Sequence, residues 1–175
     1  MARVYVPLGG EGFELCQPER QEEFETVYVQ IHGTARRQAC RPIRMRLVHE
    51  DEGKELSTSD SPWLGSHALM FRRSVVERLG TVLEQYGELL PITCSEAELW
   101  IFKSTRVLDA LDEQASSVLR FSSGRIMRVT RYVFRPEAVS GVEIFKIPNL
   151  RVSPTFVSDR FIQLWTSAGL HGSGL

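Results

Sequence analysis

The stretch GRIMRVTRYVFRP, residues Gly124 to Pro136, decides between two architectures. Its arginines, Arg125, Arg128, Arg131 and Arg135, recur at spacings of three, three and four, which on a helix would line one side with cations fit to grip a phosphate backbone. The residues between them argue the other way. Val129, Thr130, Tyr132, Val133 and Phe134 are β-branched or aromatic, and Gly124 and Pro136 bound the run. A further strand-like run, VEIFKIP from Val142 to Pro148, follows a turn containing Gly141. We read a strand that forms a hairpin with VEIFKIP. Alternation then sends Arg125, Arg131 and Arg135 to one face and Arg128 to the other with Ile126, Tyr132 and Phe134, and the stripe dissolves.

Composition agrees. With 21 Lys+Arg against 22 Asp+Glu the formal net charge is -1, which supplies no bulk attraction to nucleic acid. At 175 residues, 42% hydrophobic and 25% charged, the chain reads as a single domain with a core of its own. Cys16, Cys40 and Cys94 are odd in number, far apart and outside any CxxC or Cys/His pairing, the usage of reduced thiols and not of a disulfide framework or zinc site. The opening MARVYVPLGGEGFELC has no apolar run of about seven behind a basic start, and no run of about eighteen occurs anywhere. A soluble, cytoplasmic protein without membrane contact is expected.

Outward from the opening stretch, RVYVPL, ETVYVQIHG and RPIRMRLVHE alternate as strands. EDEGKELSTSDS, Glu50 to Ser61, is acidic and serine-rich and reads as an exposed loop. In RRSVVERLGTVLEQYG the residues Val75, Val76, Leu79, Val82, Leu83 and Tyr86 recur at helical intervals, predicting an amphipathic helix from Arg73 to Tyr86 with Gly87 to end it. Gly80 inside that helix should cost roughly 1 kcal/mol against alanine unless the helix packs closely there. ELLPIT, with Pro91, reads as an edge or irregular strand and ELWIFKST as a better one through Trp100 to Phe102. VLDALDEQASS is a loop or short helix. DRFIQLWTSAGL is a C-terminal helix with Ser158 or Asp159 as its cap and Gly169 as its stop.

No catalytic motif stands out. GGEGFE lacks the third glycine of a dinucleotide fingerprint and the Lys-Ser/Thr of a P-loop, and HEDEG has Gly53 where a zinc protease helix needs its second histidine. Neither a metal nor a cofactor is implied. Candidate nucleophiles are Cys94 and Ser173, with His32, His49, His67 or His171 as a base; none has a recognisable local context. At helical spacing Asp109 would share a face with Asp112 or Glu113, as paired catalytic carboxylates, as the acidic first turn of a helix or as a cluster suited to a basic partner.

The order of motifs PWLG, VVERL, ELLPI, LDALDEQASS, GRIMRVTRYVFRPEAVSGVEIFKIP and TFVSDRFIQLWTSAGLHG resembles immunity protein family eleven of bacterial polymorphic toxin systems, over roughly Pro62 to Gly172. The residues that carry it are Asp109, Leu111, Asp112, Tyr132, Phe134, Ile144, Phe145, Asp159, Phe161, Gly169, Leu170 and Gly172. Two features depart from the family: Phe71-Arg72-Arg73 stands where the family carries a serine at the helix start, and the chain stops at Leu175 where members run on into another strand.

The resemblance implies a non-enzymatic protein that binds a cognate toxin domain acting in the cytoplasm and blocks it. We expect an α+β domain spanning 1–175, mainly an antiparallel sheet carrying the amphipathic helix and the C-terminal helix, with residues 1–61 unmatched. The expected contacts are Glu50, Asp51, Glu52 and Glu55 in the acidic loop, Asp109, Asp112 and Glu113, and Trp63 as an anchor. Two alternatives stay open: a small hydrolase that removes a toxin-installed modification, and a nucleic-acid-binding regulator.

Overall fold

The computed structural model describes residues 3–32 and 43–174. In chain order the strands are β1 (Val4–Tyr5), β2 (Leu8–Gly9), β3 (Leu15–Pro18), β4 (Met45–Val48), β5 (Glu50–Asp51), β6 (Lys54–Glu55), β7 (Leu69–Arg72), β8 (Gly87–Ile92), β9 (Leu99–Ser104), β10 (Ser117–Arg120), β11 (Ile126–Arg131), β12 (Ile144–Phe145), β13 (Phe156–Ser158) and β14 (Ser173–Gly174). The helices are α1 (Glu23–His32), α2 (Arg73–Leu83), α3 (Pro136–Val139) and α4 (Asp159–Ser167). The ladders among them are antiparallel, and the fold is α+β.

The centre is the sheet β7-β9-β8, covered on both faces. On one face Leu69, Phe71 and Phe102 meet Val75, Leu79 and Leu83 of α2 and Phe161 and Trp165 of α4. On the other, Met70, Leu90, Leu99 and Ile101 meet Val27 and Ile31 of α1 and Met45 and Leu47 of β4. Two-sided burial is why LMF and LWIF read as continuous apolar runs and not as alternation. Each large side chain removed from water here contributes roughly 1.5–3 kcal/mol. Pro91 sits in the outer strand β8, an edge position in which a residue without an N–H is tolerated.

Helix α4 begins and ends as its sequence predicts. Ser158 Oγ accepts a hydrogen bond from Phe161 N at 3.2 Å, and Gly169, with φ 65, turns the chain out of the helix. Helix α2 is amphipathic but only 11 residues long. It stops at Leu83 and not Tyr86, because Gln85 N and Tyr86 N tighten onto Val82 O and Leu83 O, and Gly87 opens β8 instead of capping the helix.

Three expectations fail. ETVYVQIHG is helical from Glu25 to His32, within α1, and its Gly33 lies outside the described residues: Val27 and Ile31, four apart, are both buried against the central sheet while Val29 is exposed, and Glu23 and Glu25 place carboxylates in the first turn. Alternation at Val27, Val29 and Ile31 satisfied both periods, and tertiary packing selected the helical one.

The exposed loop expected over Glu50 to Ser61 is exposed from Glu50 to Glu55 but forms the hairpin β5–β6 there, with Glu52 at φ 48 and Gly53 at φ 78 supplying the two left-handed positions of a tight two-residue turn, while Ser59 and Ser61 are buried. Finally, β11 is a strand, but VEIFKIP is not its partner. β11 pairs with β10, and β12 pairs with β13 in the separate sheet β1-β13-β12. The β10–β11 register shifts twice, so Ile126 and Val129 are both buried at a spacing of three and the simple division of arginines between faces does not hold.

Candidate functional site

The surface candidates sort into free and engaged groups. Glu50, Asp51, Glu52, Lys54 and Glu55 are all exposed on the β5–β6 hairpin. Asp51 faces Lys54 across the ladder, but Glu50 faces Glu55, a like-charge cross-strand pair that works against the hairpin's stability. Glu52 adds a non-glycine residue in the left-handed region. Both features disfavour the free hairpin and leave its carboxylates facing water.

Asp109, Asp112 and Glu113 do not share a helix face. The segment is extended: Leu111 bridges Phe134, Asp112 N donates to Val133 O, and Arg135 N donates to Ala110 O. Asp112 Oδ1 accepts from the backbone N–H groups of Gln114 (3.1 Å) and Ala115 (3.0 Å), which turns the chain locally. Asp109 is mostly exposed and lies 3.1 Å from Arg135 Nη2, which also donates to its carbonyl.

The Glu113 carboxylate is a rivet: Oε2 accepts from Arg120 Nη2 at 2.6 Å and Oε1 from Asn149 Nδ2 at 2.7 Å. Those bonds, Arg120's foremost, hold its carboxyl below the usual glutamate range. Trp63 is half-buried beside the first core cluster, not free. A Cβ on Gly9 would stand 2.9 Å from its indole, so β2 passes over the ring only because Gly9 has no side chain.

The most concentrated group of charges lies around Glu14, outside the candidates read from the sequence. Glu14, 1% exposed, accepts at Oε1 from Arg72 Nη2 (2.5 Å), Arg72 Nε (3.1 Å) and Ser59 N (3.0 Å). Its Oε2 has no hydrogen bond among the described residues; His49 Nδ1 is at ion-pair distance, 3.4 Å. The other nitrogen of His49 lies 2.6 Å from Glu96 Oε2. The one available signal was the apolar run around Glu14 in GFELC, where alternation puts the carboxylate on the inward face with buried Cys16, between half-buried Phe13 and Leu15.

This imidazole between two carboxylates is fit to hold β4 and the hairpin that follows it, since Glu96 Oε1 also accepts from Leu47 N at 3.1 Å. It is poorly fitted to drive a thiol. Burial, then Cys94 and Glu14, push the Cys16 thiol up to about 12, so it carries no thiolate near neutrality.

The remaining candidates lie apart. Cys94 is half-buried at the rim of the second core cluster. Ser173 pairs with Gly9 in the β14–β2 ladder. His67 is held below the usual imidazole range by burial and Lys146. His171 uses its backbone N–H to reach Asp60 Oδ2. Cys40 and the side chain of His32 lie outside the described residues. Among the described residues no group of three or more His, Cys, Asp or Glu side chains is arranged to hold a metal ion. No helix among them is long and apolar enough to cross a membrane.

Residues 93–175 match the family model described as Immunity protein family (Imm11), the family the sequence resembles. The match takes in just under half of the chain. It includes the engaged acids at 109–113, the β10–β11 ribbon, α4 and β14, and begins after the acidic hairpin, Trp63 and α2. A search of the curated proteins finds no match.

Proposed function

We propose, taking the family of residues 93–175 as the premise, that this chain is an immunity protein that binds a cognate antibacterial toxin domain in the cytoplasm and neutralises it without catalysis. The family match is the observation that carries this reading. Two structural facts support it: exposed carboxylates are gathered on a short hairpin, and the buried Cys16 thiol is chemically quiet. Blocking by contact needs a preformed surface with little to order on binding.

We read the whole chain as one immunity-like unit. In support, the N-terminal strands β1 and β2 pair with β13 and β14 of the C-terminal half, and Glu14 pairs with Arg72. The proposed contacts are Glu50, Asp51, Glu52 and Glu55, with Asp109 nearest to free among the second group. Such a patch steers a basic toxin surface and speeds encounter more than it deepens affinity.

The test is co-expression with the toxin encoded beside the gene, together with isolation of the pair. Restored growth and a stoichiometric complex are expected; rescue with no complex would sink direct blockade. Replacing Glu50, Asp51 and Glu55 by their amides should slow association and flatten its salt dependence, with folding stability unchanged to within about 0.5 kcal/mol.

A further inference from the structure

Of the eight large apolar side chains exposed among the described residues, four lie together: Leu119 (53%), Phe121 (43%), Met127 (51%) and Val152 (38%). Three belong to the β10–β11 hairpin and the fourth to the loop 148–152 beside it. Between hairpin and loop runs a groove of about 490 Å3, its walls including Phe121, Arg125, Met127, Leu150, Arg151 and Val152. Scattered exposed apolar residues need no explanation, but three of these four, Phe121, Met127 and Val152, on the walls of one groove mark a contact surface.

The same surface is strongly basic in a chain of net charge -1. From Gln114 to Pro136 there are five arginines and no Asp or Glu. Arg120 is matched by Glu113 and Arg135 by Asp109. Arg125, Arg128 and Arg131, and Arg151 across the groove, form no ion pair with any described residue. Three of these guanidinium groups are nonetheless held in place: Arg125 lies 5.5 Å over the Phe121 ring, Arg151 lies 5.9 Å over Tyr28, and Arg131 Nη2 donates to Ala115 O at 2.7 Å. Arginine with Phe and Met is the composition of an interface centre, and prior fixing lowers the ordering cost of binding.

The walls are rigid for their exposure. Val118, Ile126 and Val129 root the ribbon in the third core cluster, and the Glu113 carboxylate ties Arg120 on the ribbon to Asn149 on the loop. The two register shifts twist the ribbon and make its edges poor templates for strand addition, so side chains, not backbone, do the recognising.

We propose that the hairpin Ser117–Arg131 and the loop 148–152 form a docking face for the toxin, taking an acidic segment whose large apolar side chain fills the groove while its carboxylates meet Arg125, Arg128 and Arg151. This rests on the toxin-binding reading above and adds to the acidic hairpin a second contact of opposite charge. Nucleic acid fits less well, because the one exposed ring on the ribbon, Phe121, already has Arg125 over its face and the arginines are interrupted by aliphatic side chains. Two copies meeting face to face would oppose arginine to arginine.

The test titrates the inactivated toxin domain encoded beside the gene into wild type and into the pairs Phe121→Ser/Met127→Ser and Arg125→Glu/Arg128→Glu, at low and moderate salt. Val29→Ser on α1 serves as an exposed apolar control. Each ribbon pair should weaken binding about 30-fold or more, the charge reversal more at low salt, while Arg125→Lys/Arg128→Lys and Val29→Ser stay within a few fold of wild type.

Hydrogen exchange on the wild-type complex gives a readout that needs no variant: amides in 117–131 and 148–152 should slow when toxin is added. Unchanged affinity in both ribbon pairs, or protection confined to other segments, overturns this docking face and leaves toxin binding standing. Absence of any wild-type complex overturns both. Self-association or RNA binding that is lost in the same variants, with toxin binding intact, assigns the face to another occupant.

Discussion

Arg72 occupies the N-cap position of α2 yet caps nothing with its side chain; its guanidinium turns back to Glu14, with Nη2 2.5 Å from Oε1. Nε is shared between the same carboxylate and Ser59 O at 2.8 Å. Next to it in the first turn, Ser74 Oγ donates to Asp60 Oδ1. A wholly buried carboxylate thus ties the N-terminal strands to the central sheet, 58 residues away along the chain.

Removing one partner leaves the other charge stranded. Arg72→Leu should destabilise by about 3–5 kcal/mol, whereas the double change Glu14→Leu/Arg72→Leu should recover much of that loss. Urea unfolding of the two single variants and the pair checks the coupling; additive effects would show that the ion pair carries no shared energy.

Gly80 lies in the middle of α2 and is buried, but a Cβ there would meet only Val76 Cγ1, at 3.7 Å, an ordinary contact. The close packing that would justify a glycine is missing. Gly80→Ala should therefore stabilise by about 1 kcal/mol, raising Tm by roughly 2–4 °C. A lowered Tm would mean that the helix has less room than this geometry gives it.

Glu113 supplies a pH signature. Its carboxyl is held below the ordinary 4.5, first by Arg120 and then by Asn149. A depressed folded value means that the stabilisation is complete above about 4.5 and is lost as pH falls through the lower folded value. Glu113→Leu should be less stable than wild type at neutral pH, with the gap closing in acid. Unfolding midpoints measured from pH 7 down to the acid limit of folding follow it.

Lys146 predicts a rise of stability with pH as well, in an alkaline window and from the relief of a buried charge. It is 6% exposed and donates to His67 O at 2.9 Å, with no carboxylate in ion-pair range among the described residues. Burial, then Lys103, bring its ammonium down from 10.5 to about 8. Between those values the unfolded chain keeps a proton that the folded one has released, so stability rises with pH across that window. Lys146→Met should abolish this rise; a wild-type and variant difference that stays flat from pH 7 to 10 would refute the assignment.

By itself the sequence determined the elements whose local pattern admits one period. Helix α4 is written in Ser158, its apolar spacing and Gly169, and the edge position of β8 in Pro91, because caps and proline act on their own backbone. The amphipathic stripe of Val75, Leu79 and Leu83 likewise fixes α2, though the tertiary structure sets its last turn. The family resemblance was legible for the same reason: ordered single residues need no contact map.

Only the tertiary structure decided the rest. Val27 and Ile31 suit a strand or a helix, and the second face of the central sheet chose the helix. That β11 pairs with β10, that Glu113 rivets the ribbon to Asn149, and that Glu14 meets Arg72 are facts about distant segments. Pairings of this kind are chosen by the total burial and charge compensation of the assembled chain, a quantity that no short window of sequence contains.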